Sequence, residues 1–313
     1  MPSTVSMVLQ AAIRGFRPLL NNLSLEIERA GQDVLGSGES KRLPENMVVA
    51  PVMIGKIRAE WFHTLGAPDD EALIYYHGGA YMTGSIESNR ILAVDFAEAT
   101  GRNVLSFEYR LAPENPFPAA LEDGLAAYQY VLDLGIENNR IALVGESAGG
   151  GLEISTALKA RALGIPLPAA IVALSPWTDL TLRGASYTEN QASDPLLERR
   201  KLVRAVMYYA YGQSLQNPYI SPLYADFHGF PPTLIHVGTH ELLLSDARQL
   251  GKVMRRDGVD VRLEEWAGMW HVWHVFDLPE SRAAMEDIAR YVLARIRKAT
   301  PAPNAGEAAR GGA

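Results

Sequence analysis

A serine hydroxyl attacks a carbonyl only when a base takes its proton and a carboxylate holds that base in the right tautomer. The chain offers a residue of each kind in a loop that follows an apolar run. Gly145-Glu146-Ser147-Ala148-Gly149 comes directly after Ile141-Ala142-Leu143-Val144 and before a helix-like segment. Strand, tight turn and helix in that order expose a serine at the top of a parallel sheet, and flanking glycines remove Cβ atoms that such a turn cannot hold. Further along, Val237-Gly238-Thr239 leads into Glu241, and Gly268-Met269-Trp270 leads into His271. Serine, acid and histidine therefore arrive in the chain order that such a sheet requires. A tetrahedral oxyanion also needs donors. His77-Gly78-Gly79-Ala80-Tyr81 follows the apolar run Leu73-Ile74-Tyr75-Tyr76, so the N–H groups of Gly78 and Gly79 are candidate donors. That of Ala148, at the start of the helix after Ser147, joins them.

The elements that would place these loops alternate along the chain. Residues 48–52 and 56–63 are strand-like on either side of Gly55 and predict an antiparallel pair. Short strands follow at 73–76, 104–107, 141–144, 169–174, 234–237 and 261–266, with helix-like stretches at 119–134, 152–163, 196–211, 245–256 and 281–297. This predicts an α/β fold, a mostly parallel sheet with helices on both faces. The N-terminal part, 1–45, reads as helical, with Val8, Ala12, Phe16, Leu19 and Leu20 at helical spacing. Segment 177–231 interrupts the alternation between two strands. An insertion there lies above the carboxyl ends of the strands and can form a lid with the N-terminal helices. The expected division is 1–45 and 177–231 as cap, 46–176 and 232–299 as core, and a disordered tail at 300–313, rich in Ala, Gly and Pro.

Composition narrows the function. With 313 residues, 48% apolar and 21% charged, the chain can bury an active site. A net charge of -7 and no basic cluster argue against a nucleic-acid or anionic-membrane partner. There is no cysteine, hence no disulfide, thiolate metal site or cysteine nucleophile, which suits the cytoplasm. No apolar run approaches the roughly 20 residues that span a bilayer. Arg14 and Arg17 lie inside the apolar part of the first segment, where a secretory signal is uncharged, so that segment reads as part of the mature protein.

Taken together, His77-Gly78-Gly79, Tyr109-Arg110-Leu111-Ala112-Pro113-Glu114, Gly145-Glu146-Ser147-Ala148-Gly149-Gly150 and Gly268-Met269-Trp270-His271 resemble the hormone-sensitive-lipase-like branch of α/β-hydrolase esterases. The matching motifs cover residues 70 to 275. The resemblance implies an eight-stranded α/β-hydrolase core with a helical cap. It also implies cofactor-free hydrolysis of carboxylic esters, short to medium acyl esters or lactones among them. Carried over residue by residue, Ser147 matches the nucleophile, His271 the general base, and Gly78, Gly79 and Ala148 the oxyanion donors. Setting Leu243 on the family's leucine puts Glu241 at the acid position, where the family usually has aspartate; Asp246 is the rival. Ala80 stands where the family often has a third glycine, and Glu146 where it commonly has aspartate, in a supporting hydrogen-bond role.

Other conspicuous residues have structural readings. His77 is expected to brace its loop, and Arg110 and Glu114 the turn after a strand. His274 lies close to His271 but outside the motif. Trp266, Trp270 and Trp273 are divided between an acyl pocket and plain core. His63, His228, His236 and His240 show no metal-ligand spacing with nearby carboxylates, so no zinc site is expected. Amide or formamide hydrolysis on the same residues and a non-catalytic ligand-binding receptor are the competing functions; His271 in its motif counts against the second. A homodimer through strand 261–266 is a further expectation, because an unpaired edge invites pairing.

Overall fold

Apolar runs form the inner strands, and mixed runs the outer ones: β1 Met47–Ile54, β2 Ile57–Thr64, β3 Ala72–Tyr76, β4 Asn103–Phe107, β5 Ile141–Glu146, β6 Ala170–Leu174, β7 Thr233–Gly238 and β8 Val261–Trp266. The computed structural model describes residues 2–20, 23–37 and 43–296. The tail at 300–313 and the side chains of Phe16, Leu19 and Leu20 lie outside the described part. One sheet runs in the order β1-β2-β4-β3-β5-β6-β7-β8. The first two strands turn back on each other at Gly55, whose φ of 61° suits glycine. β2 also meets β4 antiparallel; every later pairing is parallel. β3 to β7 are buried on both faces, which explains their largely apolar reading, whereas β8 is half-buried at the edge.

The described helices are α1 Thr4–Leu20, α2 Leu25–Ser37, α3 Ile86–Thr100, α4 Ala119–Asp133, α5 Ala148–Ala162, α6 Ser186–Glu189, α7 Arg199–Ala210, α8 Leu244–Arg256 and α9 Pro279–Arg295. Successive residues of a strand face opposite sides. Leu73 and Tyr75 therefore join a core with Phe96 of α3 and Ile288 of α9, while Ile74 and Tyr76 join one with Leu152 of α5 and Leu250 of α8. α3 was not expected from the sequence. It is held by a capping box between Ser85 and Ser88 and ends at Gly101 in the left-handed conformation. α5 begins at Ala148, the residue placed at the helix start, so it takes in Gly149, Gly150 and Gly151 ahead of the helix-like stretch 152–163.

Both N-terminal helices lie against loops at the carboxyl ends of the strands. The Ser3 and Ser6 hydroxyls donate to Glu280, Gln10 Nε2 lies 3.2 Å from His240 Nδ1, and Leu9 and Ile13 pack on Met269, Trp270, Trp273 and Leu278. On α2, Glu28 accepts from Lys201 and Arg204 of α7, both at 2.7 Å. Arg29 donates to the Met82 and Ala112 carbonyls.

Candidate active site

β5 ends in a turn that few residues can take. Ser147 has φ 56° and ψ -121°, a conformation costly for a residue with a Cβ, and its N–H donates to the Leu174 carbonyl at 2.9 Å. The turn closes only because its neighbours lack side chains. A Cβ on Gly149 would stand 2.0 Å from the Tyr76 carbonyl oxygen, and one on Gly145 2.7 Å from that of Gly149. The Ser147 hydroxyl is thereby raised above the sheet at the start of α5.

The loop after β8 supplies the imidazole. His271 Nε2 lies 2.9 Å from Ser147 Oγ across 124 positions of sequence, and His271 Nδ1 lies 3.2 Å from Glu241 Oε2. Glu241 Oε1 accepts the Gly238 N–H at 3.2 Å. Burial pushes the Glu241 carboxyl up, while hydrogen bonds from His271 and Ser175 pull it down. Ser175, with φ 47° just past β6, also accepts the Val272 N–H at 3.1 Å. That hydroxyl therefore steadies the histidine loop. Ser175 was not singled out in the sequence, nor was Asp194. The latter is fully buried, accepts the N–H groups of Leu196, Leu197 and Leu242, and is electrostatically coupled to both His271 and Glu241.

The rival acid lies elsewhere. Asp246 Oδ2 accepts the N–H groups of Thr178 and Asp179 and the Tyr187 hydroxyl, so it ties the start of segment 177–231 to α8. Burial raises its pKa well above the carboxylate range.

The donor loop corrects one expectation. The Gly78 N–H is not directed at the space beside Ser147; it donates to Glu146 Oε1 at 2.5 Å. Gly78 instead provides clearance, since a Cβ there would stand 3.2 Å from Ser147 Cβ. Among the described residues, the N–H groups of Gly79, Ala80 and Ala148 have no acceptor. Burial pushes the Glu146 carboxyl up to about 8. His77, fully buried and lowered to about 4 by that burial, donates from Nδ1 to the Gly78 carbonyl and stacks on Tyr109, whose hydroxyl donates to the His77 carbonyl.

The remaining residues fall outside this cluster. His274 faces His236 at 3.5 Å, and Arg110 grips Asp123. Glu114 accepts from Arg29. Trp270 and Trp273 are fully buried in the cluster that receives α1, with Trp266 packed against it; they are core. Contrary to the spacing argument, His228 does meet carboxylates: it gathers with Asp226 and Asp257. Those oxygens are engaged, Asp257 by Arg256 and the Phe227 N–H, Asp226 by His228 itself. Chemically, the Ser147 cluster can pass a proton from a hydroxyl to an imidazole backed by a carboxylate, beside unengaged main-chain donors.

Comparison with known proteins finds the same fold. Residues 73–275 match a family model described as the alpha/beta hydrolase fold. An acetyl-hydrolase of Streptomyces hygroscopicus is 43% identical over 246 residues, covering 77% of this chain and 82% of its own. An esterase of Acinetobacter venetianus is 32% identical over 254 residues, with 79% and 83% covered. Among solved structures, an esterase from the bacterial hormone-sensitive lipase family superposes with a TM-score of 0.89 at 38% identity, covering 95% of this chain and 100% of that one.

Proposed function

Because the chain belongs to the hormone-sensitive-lipase-like branch of α/β-hydrolase esterases, a family of carboxylic-ester hydrolases, we propose that it cleaves short to medium acyl esters or lactones through Ser147, His271 and Glu241. His271 Nε2 takes the proton of Ser147 Oγ as that oxygen bonds to the substrate carbonyl carbon. Glu241, held through Nδ1, stabilises the imidazolium. The carbonyl oxygen becomes an oxyanion and accepts from the N–H groups of Gly79, Ala80 and Ala148. His271 then gives its proton to the departing alkoxide, leaving an acyl-serine. Water repeats the two steps and releases the acid.

The observation that carries this reading is the 2.9 Å contact between Ser147 Oγ and His271 Nε2, with Glu241 behind it. Ser147→Ala is expected to remove p-nitrophenyl butyrate hydrolysis and fluorophosphonate labelling while leaving the melting temperature in place. Turnover near the parental rate in that variant would sink the mechanism.

The reading has three further parts. Helices α1 and α2 with segment 177–231 form a cap that limits acyl length; truncation of residues 1–35 with an unchanged chain-length profile would remove the idea. A homodimer pairs through edge strand β8, which light scattering tests directly. The location is cytoplasmic, supported by a chain without cysteine and checked by cell fractionation.

A further inference from the structure

The donor loop is held in a conformation that its own sequence disfavours. Ala80 and Tyr81 have φ of 54° and 61°, two successive non-glycine residues in the left-handed region. Each costs about 1–2 kcal/mol and persists only where the surroundings enforce it. Hydrogen bonds hold the loop on both sides of the free donors. Before them stands the Gly78 N–H on Glu146. After them the Gly79 carbonyl accepts from Met82 and Thr83, and the Tyr81 carbonyl accepts from Ala112.

Between these ties, the side chain of Tyr81 does the holding. It is 1% exposed, and its ring lies parallel to that of Tyr209 on α7, with centroids 3.7 Å apart and planes within 3°. Its hydroxyl is 3.0 Å from where a Cβ of Gly151 would be, and the Gly151 N–H donates to the Ser147 carbonyl in the first turn of α5. That turn presents the Ala148 N–H. The Tyr81 ring thus spans both sets of donors, and Tyr209 closes over it from segment 177–231. Phe117 meets Tyr209 edge-on, and the Phe117 N–H donates to the Tyr209 carbonyl at 2.9 Å, so the main chain at Tyr209 keeps a tie of its own.

We infer that Tyr209 is a positioning residue for the oxyanion donors: by stacking on Tyr81 it keeps Ala80 and Tyr81 left-handed and aims the N–H groups of Gly79 and Ala80 beside Ser147. The inference rests on Ser147 being the nucleophile. It makes segment 177–231 part of the catalytic geometry as well as a cover. Donors must stand about 2.7–3.1 Å from the oxyanion, and complete loss of one costs about 10²–10³ in kcat. A loop released from its stack visits the right geometry only part of the time, so a loss between these limits and no loss is expected.

The test compares the parent with Tyr209→Phe and Tyr209→Leu. It measures kcat and KM on p-nitrophenyl butyrate, Ki for a trifluoromethyl ketone that forms a tetrahedral adduct, and melting temperature. Tyr209→Leu is expected to lower kcat about 10–100-fold with KM within threefold, and to weaken the ketone by the same factor as kcat/KM. Tyr209→Phe, which keeps the stack, should restore at least half of the parental kcat. A folded Tyr209→Leu with parental kcat and ketone affinity would overturn the inference, as would a loss carried by KM alone. If the leucine variant fails to fold, Tyr209→Met serves in its place under the same criteria. A folded parent that neither turns over esters nor takes a fluorophosphonate would overturn the inference together with its premise.

Discussion

Replacing Glu146 by glutamine takes one titration out of an enclosed site and should change how stability depends on pH. Glu146 is 3% exposed, and its carboxyl is pushed up to about 8 by burial, against the opposing pull of the Gly78 N–H. In an unfolded chain the same group titrates near about 4.3. Between those values the folded protein holds a proton that the unfolded chain has released, so raising the pH favours unfolding. The stabilisation is complete below about pH 4 and is lost as the pH climbs to about 8. From pH 5.5 to 7.5 the difference amounts to nearly one proton, or about 2.7 kcal/mol at about 1.36 kcal/mol per pH unit. Glutamine keeps an oxygen for the Gly78 N–H and has no proton to give up. Urea denaturation at the two pH values should therefore show the parent losing about 2–3 kcal/mol more than Glu146→Gln, with matching m-values. Parallel losses in the two proteins would refute the argument that this carboxyl is folded in its neutral form.

Three other outcomes follow from the site. Glu241→Gln should lower kcat by about 10³–10⁴ with little change in melting temperature, because the imidazole loses the acceptor that sets its tautomer; steady-state kinetics on p-nitrophenyl butyrate will show it. Ser175→Ala removes the acceptor of the Val272 N–H, next to His271. One neutral hydrogen bond is worth about 0.5–1.5 kcal/mol, so kcat/KM should fall about 2–10-fold while a purely structural effect would appear only in the melting curve. Asp246→Ala leaves the Thr178 and Asp179 N–H groups and the Tyr187 hydroxyl without their acceptor. It should cost about 3 kcal/mol of stability or more by denaturant titration, far more than it slows an enzyme that remains folded.

The parts of this molecule legible in its sequence are those whose physics is local. A strand buried on both faces must be mostly apolar, so β3, β5, β6 and β7 are plain in the sequence, and with them the loops that carry Ser147 and Glu241; the His271 loop is legible from its own Gly268-Met269-Trp270-His271 motif. α3 was not, because its buried set of Leu92, Ala93, Val94, Phe96 and Ala97 meets the sheet, α9 and α2 on a broad face that blurs helical periodicity. The signals available were its ends: Ser85 and Ser88 at one, Gly101 at the other. The first turn of α5 is faint for the opposite reason. The helix-like stretch is legible only from 152, because Gly149, Gly150 and Gly151 carry no helical side-chain pattern, yet they are helical. Main-chain oxygens of Tyr76 and Trp177 would come within 2.3 Å of a Cβ on Gly149 and Gly151 respectively, so those positions in the helix must be bare.

What stayed hidden is the direction in which groups point. A glycine pair announces that main chain can approach a ligand, but which N–H faces it depends on partners remote in sequence. The Gly78 N–H goes to Glu146, 68 positions away, and this leaves Gly79 and Ala80 as the free donors of that loop. The same holds for Ser175 and Asp194. Serine and aspartate in connecting segments are unremarkable until folding sets them under the main chain beside His271 and Glu241, at Val272 and Leu242. Tyr81 and Tyr209 show the rule most clearly. Each is an ordinary aromatic in its own segment, and only the fold, by bringing α7 to the loop after β3, sets the rings 3.7 Å apart. The chemistry of such a site is written in short motifs at strand ends, whereas its precision is set by single contacts between distant segments. Substitutions at those contacts should therefore change rate without touching any motif.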